Sequence, residues 1–431
     1  MPNATPRECA LDILLAAYKG AGFVDGPLHE RLDDPALSHK QRAQITGLVY
    51  GVTRRRLTLD WLIERFSTRP LDRLTPELHV ILRLALYQIL YLDAVPDYAA
   101  VSEAVDAARG RVHEGAARFA NAVLRAVLRA KASLPWPPES DLVEHLAIVH
   151  SHPRWLVARW LKHLGRQKTA DLCATNNVPS PITVRANRLK LTRDELLEHF
   201  RTNGVEATTL DDTALRIEDP GPIDALDTYQ RGEFYVQDLT AMRAARLLDP
   251  QPGEAVLDLC AAPGGKTGHC AELMGDTGRI VACDLDEHRL DRLRENMARL
   301  GIRCVEPARC DARHLPELIP PGSFDRVLLD APCSNTGVLR RRVDARWRLS
   351  EADIAAFGAR QAELLDVAAL MCKPGGILVY STCSIEPEEN ELVVRGFLSR
   401  HGEFQLESET GVLPTPDGGD GGYMARVAKA P

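Results

Sequence analysis

Apolar positions recur at three- and four-residue steps through the first 130 residues: Leu11, Leu14, Leu15 and Tyr18 form one stripe, and Leu78, Ile81, Leu82, Ala85 and Ile89 another. That period predicts helices with one buried face. Breaks fall at residues 20–26, at 33–38 and at Pro96, so the segment divides into several helices. The prolines of Leu134-Pro135-Trp136-Pro137-Pro138 remove backbone donors and fix φ, which closes this part of the chain. An all-helical domain over residues 1–135 is expected.

The pattern then becomes mixed. A helix is predicted over 155–164, a strand over 182–185, a helix over 193–202 and short strands to about residue 235, giving a small α+β module over 140–232. From Glu254 apolar strands alternate with longer helical stretches, the signature of a parallel sheet. The strands are read at 255–259, 279–284, 303–306, 324–330 and 377–381. The fold class is therefore α/β, a Rossmann-like domain over 233–431, preceded by an all-α and a small α+β domain.

Composition narrows the function only by exclusion. With 431 residues, 45% hydrophobic and 26% charged, the chain is globular and exceeds one hydrophobic core. A net charge of −7 rules out a wholly basic nucleic-acid coat and leaves room for a local basic patch. The ten cysteines include no CxxC pair and no ligand spacing with histidine, so neither a metal nor a redox dithiol is expected. No apolar run approaches the ~20 residues of a membrane helix, and nothing at the N-terminus reads as a signal peptide. A cytoplasmic, monomeric protein is expected.

Chemistry concentrates past the strand ends. The first strand runs into Cys260-Ala261-Ala262-Pro263-Gly264-Gly265-Lys266-Thr267, where small residues and paired glycines let a ligand lie against backbone amides. Asp284, Asp311 and Asp330 close or follow the next three strands, which suits a cofactor rich in hydroxyl and amino donors, although each could instead cap a helix. There is no GxGxxG and no GxxxxGK[ST], so nicotinamide cofactors and nucleoside triphosphates fit worse. Asp330-Ala331-Pro332-Cys333-Ser334 and Thr382-Cys383-Ser384 bring two thiols to the same crevice; either alone could be a buried apolar cysteine. Between them, Arg340, Arg341, Arg342, Arg346 and Trp347 read as a phosphate clamp with a stacking aromatic. Arg54-Arg55-Arg56 is a weaker candidate, read as a solvated helix face.

These residues resemble the RNA cytosine-5 methyltransferases, and within them the bacterial Sun/Fmu (RsmB) branch, over nearly the whole chain. The resemblance rests on residues 258–267, on Asp330-Ala331-Pro332-Cys333-Ser334, on Arg346-Trp347 and on Ser381-Thr382-Cys383-Ser384-Ile385. Arg118-Phe119-Ala120-Asn121-Ala122-Val123-Leu124-Arg125 looks like the closing helix of that branch's NusB-like domain. Asn187 and Phe234-Tyr235-Val236-Gln237-Asp238 resemble its small RNA-binding subdomain. The resemblance implies S-adenosylmethionine held by Cys260 to Lys266, Asp284, Asp311 and Asp330. It also implies Cys383 as nucleophile, Cys333 in product release, and Asp330 and Lys266 in the catalytic centre. The implied substrate is 16S ribosomal RNA at the equivalent of position 967, in an unassembled or partly assembled small subunit.

The chemistry suits these residues. Carbon 5 of cytosine is too weak a nucleophile for a sulfonium methyl until a thiolate adds at carbon 6, and cysteine both adds and leaves. Two departures stand out: Asn335, where the family usually has alanine or glycine, and Gly422-Tyr423-Met424, where it usually has two aromatics. Transfer RNA or another ribosomal site, 23S included, is the alternative substrate. A non-catalytic RNA-binding assembly factor is the alternative class.

Overall fold

The structure is a computed structural model that describes residues 5–20 and 24–431. It divides into two compact units, Met1–Asn177 with Arg342–Leu349, and Val178–Arg341 with Ser350–Pro431. The predicted break at residues 20–26 lies partly outside the described residues.

The first unit is helical among its described residues. Helices Pro6–Lys19, His39–Arg54 and Pro76–Tyr91 start at Thr5, Ser38 and Thr75, whose hydroxyls accept first-turn amide hydrogens. The predicted stripes supply the core: Leu11, Leu14, Leu15, Leu78, Ile81, Leu82, Ala85 and Ile89 are all buried. Tyr18 departs from its stripe and is 41% exposed, with the Arg83 guanidinium over its ring.

The sequence reading ends the helical domain at residue 135, whereas this unit runs on to Asn177. Helices Leu142–His150 and Arg154–Thr175 are tied to helix Arg56–Phe66, where Thr58 Oγ1 donates to the Ile148 carbonyl at 2.5 Å and the Leu57 amide to Ser151 Oγ at 2.9 Å. The second of these helices extends past the predicted 155–164, with a break at Gly165, whose φ of 77° a helix does not accommodate.

The second unit holds two sheets. Strands β1 (Ile182–Ala186), β2 (Glu206–Thr209), β3 (Ala214–Glu218) and β4 (Phe234–Val236) form an antiparallel sheet in the order β2-β3-β1-β4. Val184, Leu215 and Phe234 on it pack with Leu196 and Phe200 of helix Arg193–Thr202, placed where the sequence predicts it.

Strands β5 (Ala255–Leu259), β6 (Arg279–Asp284), β7 (Val305–Arg309), β8 (Phe324–Asp330), β9 (Cys372–Thr382), β10 (Phe404–Val412) and β11 (Gly422–Lys429) form the larger sheet, ordered β10-β11-β9-β8-β5-β6-β7. Pairing from β7 through β9 is parallel; β11 joins β9 antiparallel and β10 joins β11. Both faces are covered: Leu257, Leu329 and Leu378 pack with Leu365 and Phe397 on one side, and Val256, Leu328 and Val379 with Ala245 and Leu293 on the other. The chain leaves β5 for β6 and β7 on one side and returns to β8 and β9 on the other. The crevice opens at that switch, beyond the carboxyl ends of β5 and β8.

Strand β7 starts two residues later than predicted. The amides of Arg303 and Cys304 are taken by the Asp276 carboxylate, at 2.8 and 2.9 Å. Among the described residues no helix is long and apolar enough to cross a membrane, and no cluster of three or more His, Cys, Asp or Glu could hold a metal.

Candidate active site

The loop after β5 is shaped by backbone needs. Cys260 has a φ of 62° and Gly264 one of 98°; a Cβ at Gly264 would stand 3.0 Å from Leu293 and Met297. A glycine is therefore required there both for the left-handed turn and for the close approach. Helix Gly265–Leu273 begins at once, so its amino-terminal amides and dipole favour an anionic group.

Beneath the loop, Asp258 is buried, its Oδ2 accepts from Thr267 Oγ1 at 2.6 Å, and its Oδ1 has no partner. Burial lifts this carboxyl to about 7. A buried acceptor left open this way calls for a donor from a ligand. It borders a cavity of about 230 Å³ that Tyr235, Gln237, Ala262, Lys266 and Asp330 also line. A smaller one of about 40 Å³ lies between Cys260, Cys283, Asp284, Asp311 and Arg313.

Asp284 is almost wholly buried, and each of its oxygens already accepts one amide at 3.1 Å, from Ala262 and from Asp286. Each keeps a lone pair for a hydroxyl. Asp311 caps the turn at Ala312–His314 and pairs with Arg313 at 2.6 Å, which together with its backbone bond holds its carboxyl down at about 2. The capping reading therefore describes Asp311 as built, and its carboxylate also lines the smaller cavity.

Lys266 and Asp330 form an ion pair at 2.6 Å beside the larger cavity. Burial works against the Lys266 ammonium, but the Asp330 carboxylate outweighs it and raises its pKa above the ordinary value. Cys333 and Cys383 come together at the ends of the neighbouring strands β8 and β9, with sulfurs 2.9 Å apart. The hydrogen bond with Cys383, and burial after it, push the Cys333 thiol well up. Asn335, one of the two departures, has a φ of 63°, a backbone state that Gly or Asn takes most readily. Its Oδ1 accepts from Cys383 Sγ at 3.3 Å and its Nδ2 donates to the Cys333 carbonyl at 2.9 Å.

The expected phosphate clamp is largely turned inward. Arg340 is 2% exposed; it pairs with Asp420 at 2.6 Å and donates to the Thr415 and Gly418 carbonyls at 2.9 and 2.8 Å. Arg341 lies at the surface and pairs with Asp420 and, at 3.3 Å, with Asp238. Arg346 is fully buried in the helical unit, where it donates to the Ser151 and Asn176 carbonyls at 3.2 and 2.9 Å. Trp347 is half-buried, its Nε1 donating to the Thr53 carbonyl at 2.7 Å. Of the named arginines, Arg342 remains exposed alongside Arg341. The Arg54 to Arg56 run is likewise no bare solvated face: Arg55 covers the Tyr91 ring and Arg56 that of Trp347.

Sequence reasoning passed over Asp258 and Arg185. Asp258 stood in the quoted run, and its signal was a charged residue inside an otherwise apolar strand. Arg185 of β1 is fully buried, pairs with Glu272 at 2.7 Å and donates to the Gly265 carbonyl at 3.0 Å, bracing the cofactor loop from below. Nothing in its local sequence marks it.

Family models match three stretches: the NusB family over residues 4–129, a ferredoxin-like domain of RsmF/B-like methyltransferases over 152–224, and 16S rRNA methyltransferase RsmB/F over 245–425. Ribosomal RNA small subunit methyltransferase B of Klebsiella pneumoniae (strain 342) is 37% identical over 94% of this chain and 92% of its own. The chain belongs to this methyltransferase B family. The Pectobacterium atrosepticum (strain SCRI 1043) enzyme of that name is also 37% identical, over 94% and 93%. The crystal structure of PH0851 aligns over 99% of both chains with a TM-score of 0.81 and 31% identity. The domains are thus NusB-like, ferredoxin-like and Rossmann-like in that order, and the family's cofactor is S-adenosylmethionine. The open Asp258 oxygen, the helix amino terminus and the Asp284 carboxylate form a donor and acceptor set that fits its ammonium, carboxylate and ribose.

Proposed function

We propose that the protein methylates carbon 5 of a cytosine in 16S ribosomal RNA, at the equivalent of position 967, with Cys383 as covalent nucleophile. The observation that carries this is the pair of thiols 2.9 Å apart at the ends of β8 and β9, with Asp330, the last residue of β8, paired to Lys266 at 2.6 Å. The 16S assignment rests on the names of the relatives.

Bound S-adenosylmethionine supplies an electrophilic methyl group. Cys383, as thiolate, adds to carbon 6 and turns the ring into an enamine nucleophilic at carbon 5. Asp330, paired with Lys266, accepts from the exocyclic amine, and the Lys266 ammonium stabilises the negative charge that gathers on the ring. After transfer Cys333, once its own thiol proton has passed to solvent, takes the carbon 5 proton as thiolate, the carbon 6–sulfur bond breaks and Cys383 is returned as thiolate. The base must leave its stack to meet a thiolate, which favours RNA still single-stranded in an unassembled or partly assembled subunit.

Bisulfite sequencing of 16S, 23S and transfer RNA from a deletion strain, with and without a plasmid copy, tests the reading. One 16S cytosine should lose and regain protection; a changed site only in transfer RNA or 23S overturns the substrate, and no change anywhere overturns the chemistry.

A further inference from the structure

The two thiol loops share one buried carboxylate. Glu389 is 0% exposed and accepts four hydrogen bonds, all from neutral donors. Its Oε2 takes the Ser334 amide at 2.8 Å and Gln361 Nε2 at 3.0 Å; its Oε1 takes the Ser384 hydroxyl at 2.7 Å and that of Ser334. Ser334 follows Cys333 and Ser384 follows Cys383. One side chain therefore grips the residue next to each sulfur. Gln361 also donates to the Pro332 carbonyl at 2.8 Å, fixing the other side of Cys333.

This arrangement is expensive for stability alone. A buried carboxylate facing only neutral donors costs more than an apolar side chain of its size would, and burial raises its pKa accordingly. The turn that bears it is held independently: Tyr380 donates to the Glu389 carbonyl at 2.5 Å, Thr382 to Asn390 Oδ1 at 2.6 Å, and Asn390 Nδ2 to the Ser384 carbonyl at 3.0 Å. The backbone does not need the carboxylate; the loops do.

We propose that Glu389 is a positioning residue that sets the spacing of the two cysteines, holding Cys383 for addition at carbon 6 while Cys333 stands over carbon 5. The inference rests on the two-thiol reading above. It assigns Glu389 no contact with RNA or cofactor. Its effect should appear in the chemical step and in the mutual reactivity of the sulfurs.

The test is Glu389→Ala beside Glu389→Gln. Loss of all four acceptor contacts should lower kcat about 100-fold, the cost of misplacing reacting groups by about 1 Å, with KM for RNA and the Kd of S-adenosylmethionine unchanged. Glutamine can still present an oxygen to the two N–H donors and should recover activity to within about tenfold, one hydrogen bond's worth. The second readout needs no RNA. Diamide, reduced to its hydrazine as two thiols become a disulfide, should link Cys333 to Cys383 in the wild type, and at least about tenfold more slowly in Glu389→Ala, by peptide mass spectrometry. Wild-type kcat and linking rate in Glu389→Ala overturn the proposal, as does a fall in cofactor affinity that matches the fall in kcat. If Glu389→Ala fails to fold, Ser334→Ala and Ser384→Ala each remove one hydroxyl contact and must show the same split between kcat and KM. A wild type that methylates no cytosine but links its thiols would sink the function and leave the positioning measurable.

Discussion

Cys333 and Cys383 on one side, Arg340 and Arg346 on the other, all come from segments that leave a strand's carboxyl end, and all are polar groups with ready ligand chemistry. The thiols converge on the crevice. The guanidinium groups are buried, one on Asp420 and one among carbonyls of the helical unit. Side-chain length separates the two cases. A cysteine sulfur is one bond beyond Cβ, so once the strand end is placed the reactive atom is placed with it. An arginine carries its charge on a long flexible stem and can bury it against carbonyls some distance from its own Cα. Position along the chain thus places the end of a short side chain and leaves that of a long cation open.

The sharpest way to break this contrast is to remove the sulfur. Cys383→Ala should abolish methyl transfer from labelled cofactor while isothermal calorimetry shows cofactor binding unchanged. Transfer above a few per cent of wild type returns Cys383 to the buried-cysteine reading. Next in size, Arg346→Ala should leave the Ser151 and Asn176 carbonyls unpaired and cost about 3 kcal/mol, seen as a lowered urea midpoint. The salt slope of RNA binding should not move. Asp284→Ala should weaken S-adenosylmethionine by about 2 kcal/mol, roughly 30-fold, for charge-assisted bonds to the ribose lost. Unchanged affinity would make Asp284 only a brace for the Ala262 and Asp286 amides. The smallest change is expected at the surface, where Arg342→Ala should flatten the log-log salt dependence of RNA binding by about one unit if it meets a phosphate, and Arg340→Ala by none.

What could be read from the sequence follows the same division. Strands β5, β6 and β8 were legible because their apolar runs end in short polar loops, and the Cys260 to Lys266 turn because Gly264 answers a backbone demand that its φ bears out. Asp284 was placed by its position at a strand end. The start of β7 was missed because a distant carboxylate, Asp276, claims two of its amides. The helical unit runs past the predicted boundary because prolines mark where a helix must stop, not where packing does. Glu389 was not singled out either: one more glutamate in an acidic run carries no sign that it is the buried one.

Arg342–Leu349 belongs to the helical unit although the chain reaches it only after most of the second unit has been made. Val343, 1% exposed, is part of the helical core, and Arg346 satisfies carbonyls there. During synthesis the amino-terminal helices therefore wait for their last piece. From Val178 through Leu349 the ribosome adds 172 residues, roughly 10 to 30 s of translation at about 5–20 residues per second. Through that interval the nascent helical domain carries an open apolar slot for Val343 and unpaired carbonyls at Ser151 and Asn176. Vectorial folding, amino-terminal domain first, cannot run to completion in this protein, and a fragment cut at residue 177 should behave as that unfinished intermediate.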